Sequence, residues 1–440
     1  MTINEIYESV KEYIWQLERN KEKYLINPEK DFTRHRKISF SDCVMSLLCM
    51  SGGTLFSEVL EYFSDKTDLP SVSAYLQQRA KIKYSAFEQL FRSTVNLSDE
   101  NHLYHGYRLF AADGSDIQIP SNPMDEDTYY PGSNGQKPYN LIHLNAIYDI
   151  ITNTYQDVLI QGSRHCAEHE ALNHMVDCSC VNKALIIADR GYESYNVMAH
   201  IKEKGWKYLI RVKDIGGNGI VSRLDLPSSD EFDIDIDLNI TRKNSKKMMQ
   251  LFEDRNHYRY APPNSKLDFL PSRSSYKEDA VFYRLPFRVV RFKITENQYE
   301  TIVTNLDKYE FAPAELKRLY AMRWGIETSF RTLKYNIGVI YFHSWKKELV
   351  MQEVFARLAL FNITASIAGE PLKHISKKNY SYKVNVAKVI LICRKLFLDR
   401  ISPHYAQRLI STSVVPIRNE RSFKRKTKPR IAINFIYRIA

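Results

Sequence analysis

The 440-residue chain contains no apolar run approaching the ~18–20 residues needed to cross a bilayer, so nothing in it points to a membrane. Its opening stretch, MTINEIYESVKEY, lacks the apolar core of a secretory signal. The six cysteines (Cys43, Cys49, Cys166, Cys178, Cys180 and Cys393) follow no regular framework. That excludes a disulfide-stapled scaffold and fits a reduced, cytosolic protein. Internal repeats and low-complexity tracts are also missing, which excludes solenoids and disordered arrays. Acidic excess is absent too: 63 Lys and Arg stand against 51 Asp and Glu, a net charge of +12. A balance of that sign favours polyanionic partners through phosphate neutralisation and counterion release.

What is present is a folded chain, 44% hydrophobic and long enough for roughly three domains. Up to about Leu97 the apolar period is helical, in INEIYESVKEYIWQLER, SDCVMSLLCM and LFSEVLEYF, with Ser51-Gly52-Gly53 as a breaker. Residues 1–100 therefore read as a helical, DNA-binding domain. The segment LPSVSAYLQQRAKIKYSAFEQLF places Gln77, Gln78, Arg79, Lys81 and Lys83 at expected exposed positions. Such side chains either enter a DNA groove or form a solvated helix face.

From Tyr107 the pattern changes to strands in YRLFAADGSDIQIP, LIHLNAIYDI and TYQDVLIQG, the last two joined by a turn at Ile151–Asn153. A helix (AEHEALNHMVD), a fully apolar strand (KALIIADRG), another helix (SYNVMAHIKEKG) and another strand (WKYLIRVK) follow. Three strands followed by alternating helices and strands is the order of a ribonuclease H-like α/β core. We place its first part at 101–213, a β-rich insertion at 214–286, its second part at 287–346, and a helical region with a basic tail at 347–440. In the insertion, Asp233, Asp235 and Asp237 line one face of an alternating strand, either a solvated β face or a calcium site.

In the second part Pro313 opens what reads as one long helix, AELKRLYAMRWGIETSFRTLKYN, ending near Gly338. At about 100° per residue, Tyr320, Arg323, Glu327 and Lys334 share an arc of about 60°. An apolar stripe of Leu319, Ile326, Phe330, Leu333 and Ile337 suits packing on a sheet. Asp113 and Asp189 each close an apolar strand (RLFAADG, ALIIADRG) just before a Gly. Carboxylates at the carboxyl ends of neighbouring strands can converge, and with Glu327 they make three oxygen donors. Such donors suit hard divalent ions and in-line displacement at phosphorus. Asp116 lies at an odd offset from Asp113 and so faces the other side of the strand. His165, Cys166, His169, His174, Cys178 and Cys180 contain zinc-type donors, but their spacing matches no standard finger.

Tyr320-x2-Arg323-x3-Glu327-x6-Lys334 resembles the YREK signature of bacterial insertion-sequence DDE transposases of family four. Asp113 in ADGS and Asp189 in ADRGY match that family's two aspartates, and Glu327 its glutamate. TIVTNL and HSWKKELVMQEVFARLALFN also look familial, and the resemblance runs from about Ser73 to the basic tail. It implies cut-and-paste DNA transposition: Mg²⁺ (or Mn²⁺) as two ions held by Asp113, Asp189 and Glu327, strand cleavage at terminal inverted repeats, and strand transfer into target DNA. It further implies a homodimer on double-stranded DNA, in a bacterial cytoplasm at the nucleoid. DNA contacts are expected from Tyr320, Arg323 and Lys334, from Arg79 and Lys81, and from Lys424, Arg425 and Lys426 in the tail RSFKRKTKPR. Hairpin-forming relatives carry a base-stacking Trp in or near the insertion. Here Trp15, Trp206, Trp324 and Trp345 all lie outside it, leaving Tyr299 as the candidate. The alternative is a non-catalytic DNA-binding regulator derived from such an enzyme.

Overall fold

In the computed structural model the described residues are 1–34, 36–65, 69–97, 102–132, 137–272, 279–296, 298–369 and 382–416. The N-terminal third is helical: α1 (Ile3–Arg19), α2 (Phe40–Cys49), α3 (Leu55–Phe63), α4 (Val72–Arg79) and α5 (Ser85–Thr94). Capping boxes start two of them, Thr2 with Glu5 and Ser39 with Asp42. Each satisfies backbone N–H groups that a helix start would otherwise leave bare. The apolar period predicted for α1 is the face it buries, Ile3, Ile6, Val10, Ile14 and Leu17.

The core is a ten-stranded mixed sheet made of β1 (Arg108–Ile119), β2 (Tyr129–Tyr130), β3 (Tyr139–Asp149), β4 (Thr154–Gly162), β5 (Ala184–Ala188), β6 (Lys207–Val212), β7 (Phe232–Thr241), β8 (Tyr258–Tyr260), β9 (Tyr283–Thr295) and β10 (Gln298–Thr304). β4, β3 and β1 run antiparallel, then β5 and β6 run parallel to β1. That is the ribonuclease H-like order expected from the sequence. The turn between β3 and β4 falls where expected, with Asn153 at φ 58°. Helices α6 (Glu168–Cys178) and α7 (Tyr195–Glu203) make the crossovers that parallel pairing requires.

The β-rich stretch after β6 extends this sheet. β10 pairs antiparallel with β6, β9 with β10, and β7 with β9, so β7 to β9 continue the core sheet outward. One short helix, α8 (Lys246–Leu251), interrupts it. The three acids of β7 lie on a solvated face, Asp233 and Asp235 exposed and Asp237 half-buried, and each also pairs with a cation: Asp233 with Arg288, Asp235 with Lys308 and Asp237 with Arg284.

Strand parity sorts the residues onto two faces. Phe110, Ala112, Ile186 and Ala188 pack with Leu172 and Met175 of α6 and with Val197 and Met198 of α7. Leu109, Leu185 and Ile187 pack on the opposite face with Leu316, Leu319 and Tyr320. That face is covered by α9 (Pro313–Met322), α10 (Trp324–Arg331) and α11 (Lys347–Gly369), with α12 (Val386–Phe397) and α13 (Pro403–Thr412) beyond, beside a small ribbon of β11 (Tyr382–Val384) and β12 (Val414–Pro416).

The single long helix expected from Pro313 is instead three pieces. At Arg323 the ladder tightens, because the N–H groups of Arg323 and Ile326 both reach back only three residues, to Tyr320 and Arg323. Past α10 it loosens into a π-turn over Thr332–Ile337. The turn closes at Gly338, whose φ of 94° suits a residue without Cβ. Lys334 therefore lies in the π-turn, and a constant 100° step does not describe its position relative to Glu327.

Candidate active site

Ala112 on β1 is in register with Ala188 on β5, so Asp113 and Asp189 are the next residues outward on adjacent parallel strands. Parity puts both on the face covered by α9 and α10. Neighbouring strands lie about 4.8 Å apart, which brings two carboxylates within reach of each other. Asp189 leaves the sheet through a short 3₁₀ turn, Arg190–Tyr192, and its Oδ1 accepts from the Gly191 N–H at 2.7 Å. Asp113 Oδ1 accepts from the Gly114 N–H at 2.8 Å.

Glu327 comes from the first turn of α10. Arg323, one helical turn earlier, sets one guanidinium nitrogen 3.2 Å from Asp113 Oδ2 and the other 2.6 Å from Glu327 Oε1. One cation thus ties a strand carboxylate to a helix carboxylate. Burial pushes the Asp113 carboxyl up to about 6; the Gly114 N–H and Arg323 oppose this, while the charges of Asp189 and Glu327 add to it. The three acids therefore share an electrostatic neighbourhood, in which negative charge outnumbers the contacting positive charge.

Tyr320 is buried against the same guanidinium, 5.8 Å from its ring centre. Lys334 extends its Nζ to 2.7 Å from Ser115 Oγ on β1, and burial lowers its pKa. The residues of the Tyr-Arg-Glu-Lys pattern therefore all border the Asp113 segment, even across the helix breaks. Tyr299, on β10, stacks against Arg291 at 4.3 Å and donates to Asp230. It shares a cleft of about 500 Å³ with Arg190, Arg211 and Arg291. Arg190 and Arg211 had not been singled out; the signal for Arg190 was its place directly after Asp189.

Two sequence expectations fail on exposure. Arg79 is fully buried: it donates to Gln352 at 2.8 Å, to the Leu349 carbonyl at 2.5 Å, and to Glu353 at 3.0 Å. It cannot reach DNA from there, and Gln78 is buried as well. The helical surface rule misplaced both because the covering helix, α11, lies about 270 residues along the chain. Lys81 is half-buried, 3.0 Å from Gln78 Oε1 and near Asp31. Lys424, Arg425 and Lys426 lie outside the described residues.

The histidines and cysteines between 165 and 180 form no single cluster, in keeping with a spacing that matches no standard finger. His169 donates to the Gly191 carbonyl, and His174 sits beside Cys178. Cys166 instead meets two residues not grouped with it before, His143 on β3 and Glu168 on α6. Asp116 does face away from Asp113, and its Oδ1 lies 2.8 Å from His143 Nδ1. Burial pushes the His143 ring down, but Asp116 and Glu168 outweigh it and raise its pKa to about 9.

A ribonuclease H-like sheet with acids gathered at its strand ends defines a class of nucleic-acid enzymes. Residues 104–363 match the Transposase DDE domain family, more than half of the chain, and the chain belongs to that family: it is a DDE transposase. Among solved structures the chain is similar to the piggyBac transposase synaptic complex with hairpin DNA, at 8% identity and a TM-score of 0.45, covering 98% of this chain and 88% of that one. No curated protein matches. No helix among the described residues is long and apolar enough to cross a membrane.

Proposed function

We propose that this transposase cuts and joins DNA by metal-dependent phosphoryl transfer, with Asp113, Asp189 and Glu327 as its metal-holding residues and Mg²⁺ (or Mn²⁺), as two ions, its cofactor. The observation carrying this reading is the Arg323 guanidinium bridging Asp113 and Glu327, with Asp189 one strand over. A set of hard oxygen donors that already draws in a cation, and still carries excess negative charge, fits a divalent ion. When bound, the ions would activate the attacking hydroxyl and stabilise the leaving oxygen at phosphorus.

The chain's own groups do the rest. Arg323 and Lys334 offer positive charge to phosphate oxygens beside the carboxylates, and Tyr320, whose hydroxyl is buried, packs against Arg323 and positions it instead of meeting the backbone itself. Tyr299 and the arginines around it line a cleft suited to a stacked base flanked by phosphates. The substrates are the element's terminal inverted repeats and target DNA, joined by cut-and-paste in a homodimer, as in the family-four enzymes whose signature this sequence resembles. The intact carboxylate set speaks against a purely regulatory DNA binder. The test is a strand-cleavage assay with Mg²⁺ on terminal-repeat DNA. Glu327→Gln should abolish cleavage while leaving DNA binding in place, and unchanged cleavage would defeat the assignment.

A further inference from the structure

On the opposite face of β1 from the three acids, we propose a second metal centre, selective for zinc-like ions, formed by His143 Nε2, Cys166 Sγ and a Glu168 carboxylate oxygen. These three donor atoms lie within 4.8 Å of one another. They come from β3, the 3₁₀ turn region before α6, and the first turn of α6, so the fold gathers them from separate elements.

The His143 ring is what separates this cluster from an ordinary surface ion pair. The residue is only 8% exposed. Its Nδ1 is engaged at 2.8 Å by Asp116, whose carboxylate accepts from the ring N–H. Its Nε2 is buried and lies 3.1 Å from Glu168 Oε1. A buried imidazole with a carboxylate on one nitrogen and the other nitrogen turned toward a thiol and a second carboxylate is the arrangement that metal-ligating histidines use. The carboxylate orients the ring through Nδ1, so that Nε2 offers its lone pair to the ion once its proton is lost. Gly114 contributes by omission, since a Cβ there would overlap Nε2.

The donor set chooses the ion. One nitrogen, one sulfur and one carboxylate oxygen suit Zn²⁺ or Co²⁺, whereas Mg²⁺ takes oxygen and avoids thiolate. On binding, the Cys166 thiol and the protonated Nε2 each give up a proton to solvent as the ion takes their lone pairs. Three protein ligands leave a fourth position for water or a substrate group. Because β1 carries Asp113 on one face and Gly114 and Asp116 on the other, such an ion would brace the strand that presents the first catalytic aspartate.

The test is metal content of the full chain, stripped with chelator and dialysed against Zn²⁺ in excess Mg²⁺. One zinc per chain is expected in the unaltered protein and equally in Glu327→Gln, whose carboxylate is carried on α10. Cys166→Ser and His143→Ala should lose it, and Asp116→Asn should weaken it about 10–100-fold. Cys166 is half-exposed, so its variant remains informative if His143→Ala fails to fold. With Co²⁺, a thiolate-to-metal absorption band should appear and vanish in Cys166→Ser. Absence of bound zinc, or binding that Cys166→Ser leaves unchanged, would overturn the proposal.

Discussion

Two arginine–carboxylate clusters in this molecule are built from the same chemistry and end in opposite states. Around Glu353, on α11, the charges are sealed: Arg79, Arg357 and His343 all reach its carboxylate, and none of the four is exposed. The His343 backbone N–H donates to it too. Around Asp113 a single guanidinium serves two acids, a third stands nearby with no ion-pair partner among the described residues, and all three acids keep part of their surface open. Buried charge persists when each group is paired and hydrogen-bonded, and such a knot has no capacity left for a ligand. The under-neutralised cluster has that capacity. What separates a structural ionic knot from a candidate catalytic one is therefore how far its charge is satisfied, and residue type alone does not reveal it.

Substitutions that remove one acid from each cluster should break the comparison most sharply. Asp189→Asn or Glu327→Gln should lower the Mg²⁺-dependent cleavage rate by about a thousandfold or more, with the melting temperature little changed. Rate and thermal denaturation measured on the same preparation would check both halves. Glu353→Gln should do the reverse, costing about 3–5 kcal/mol in urea unfolding, because the fully buried Arg79 would lose the carboxylate it is paired with and Arg357 would keep only Glu58 nearby. Cleavage per folded molecule should stay close to normal.

Acid titration sharpens the same contrast. Burial pushes Glu353 up, but Arg79, His343 and Arg357 outweigh it and hold its pKa at about 2. A carboxylate depressed in the folded state contributes stability that is complete above its unfolded value, about 4.3, and is lost as pH falls toward the folded one. Unfolding free energy should therefore drop steeply between about pH 4.3 and 2, and Glu353→Gln should flatten that slope. The smallest effect is expected at Lys81. Its side chain is turned toward Gln78 and Asp31, so Lys81→Ala should change affinity for terminal-repeat DNA by less than about twofold in a binding titration.

The elements that carry the candidate site were legible because they are local. Asp113 and Asp189 each follow an apolar strand and precede a chain turn, and Glu327 sits on an amphipathic helix beside a spaced Tyr, Arg and Lys. The strand order of the core was equally readable from its sequence of elements. What could not be read depends on partners far along the chain. Arg79 looks like any exposed helix cation until α11 covers it. Asp233, Asp235 and Asp237 do line a solvated face, but the cations of β9 and of the segment after β10 that pair with them there are not evident from the strand itself. The extension of the sheet by β7, β9 and β10 rests on pairing register, which periodicity does not encode. The break at Arg323 has a weak local sign in Gly325 and the π-turn at Lys334 one in Asn336 and Gly338, but a helical period runs through both and hides them.

Helix α11 has a consequence for how this protein can be divided. It is buried along most of its length, packed on one side by α1, α2 and α5, and elsewhere by β4 and α12. The stretch by which the family is recognised, 104–363, includes most of this helix but none of the N-terminal helices that enclose it. Expressed alone, that stretch would present a long apolar rib to water and would remove Arg79 from Glu353, leaving it only His343 and Arg357. The segment that identifies the protein is thus smaller than the segment that must be made for it to stay folded.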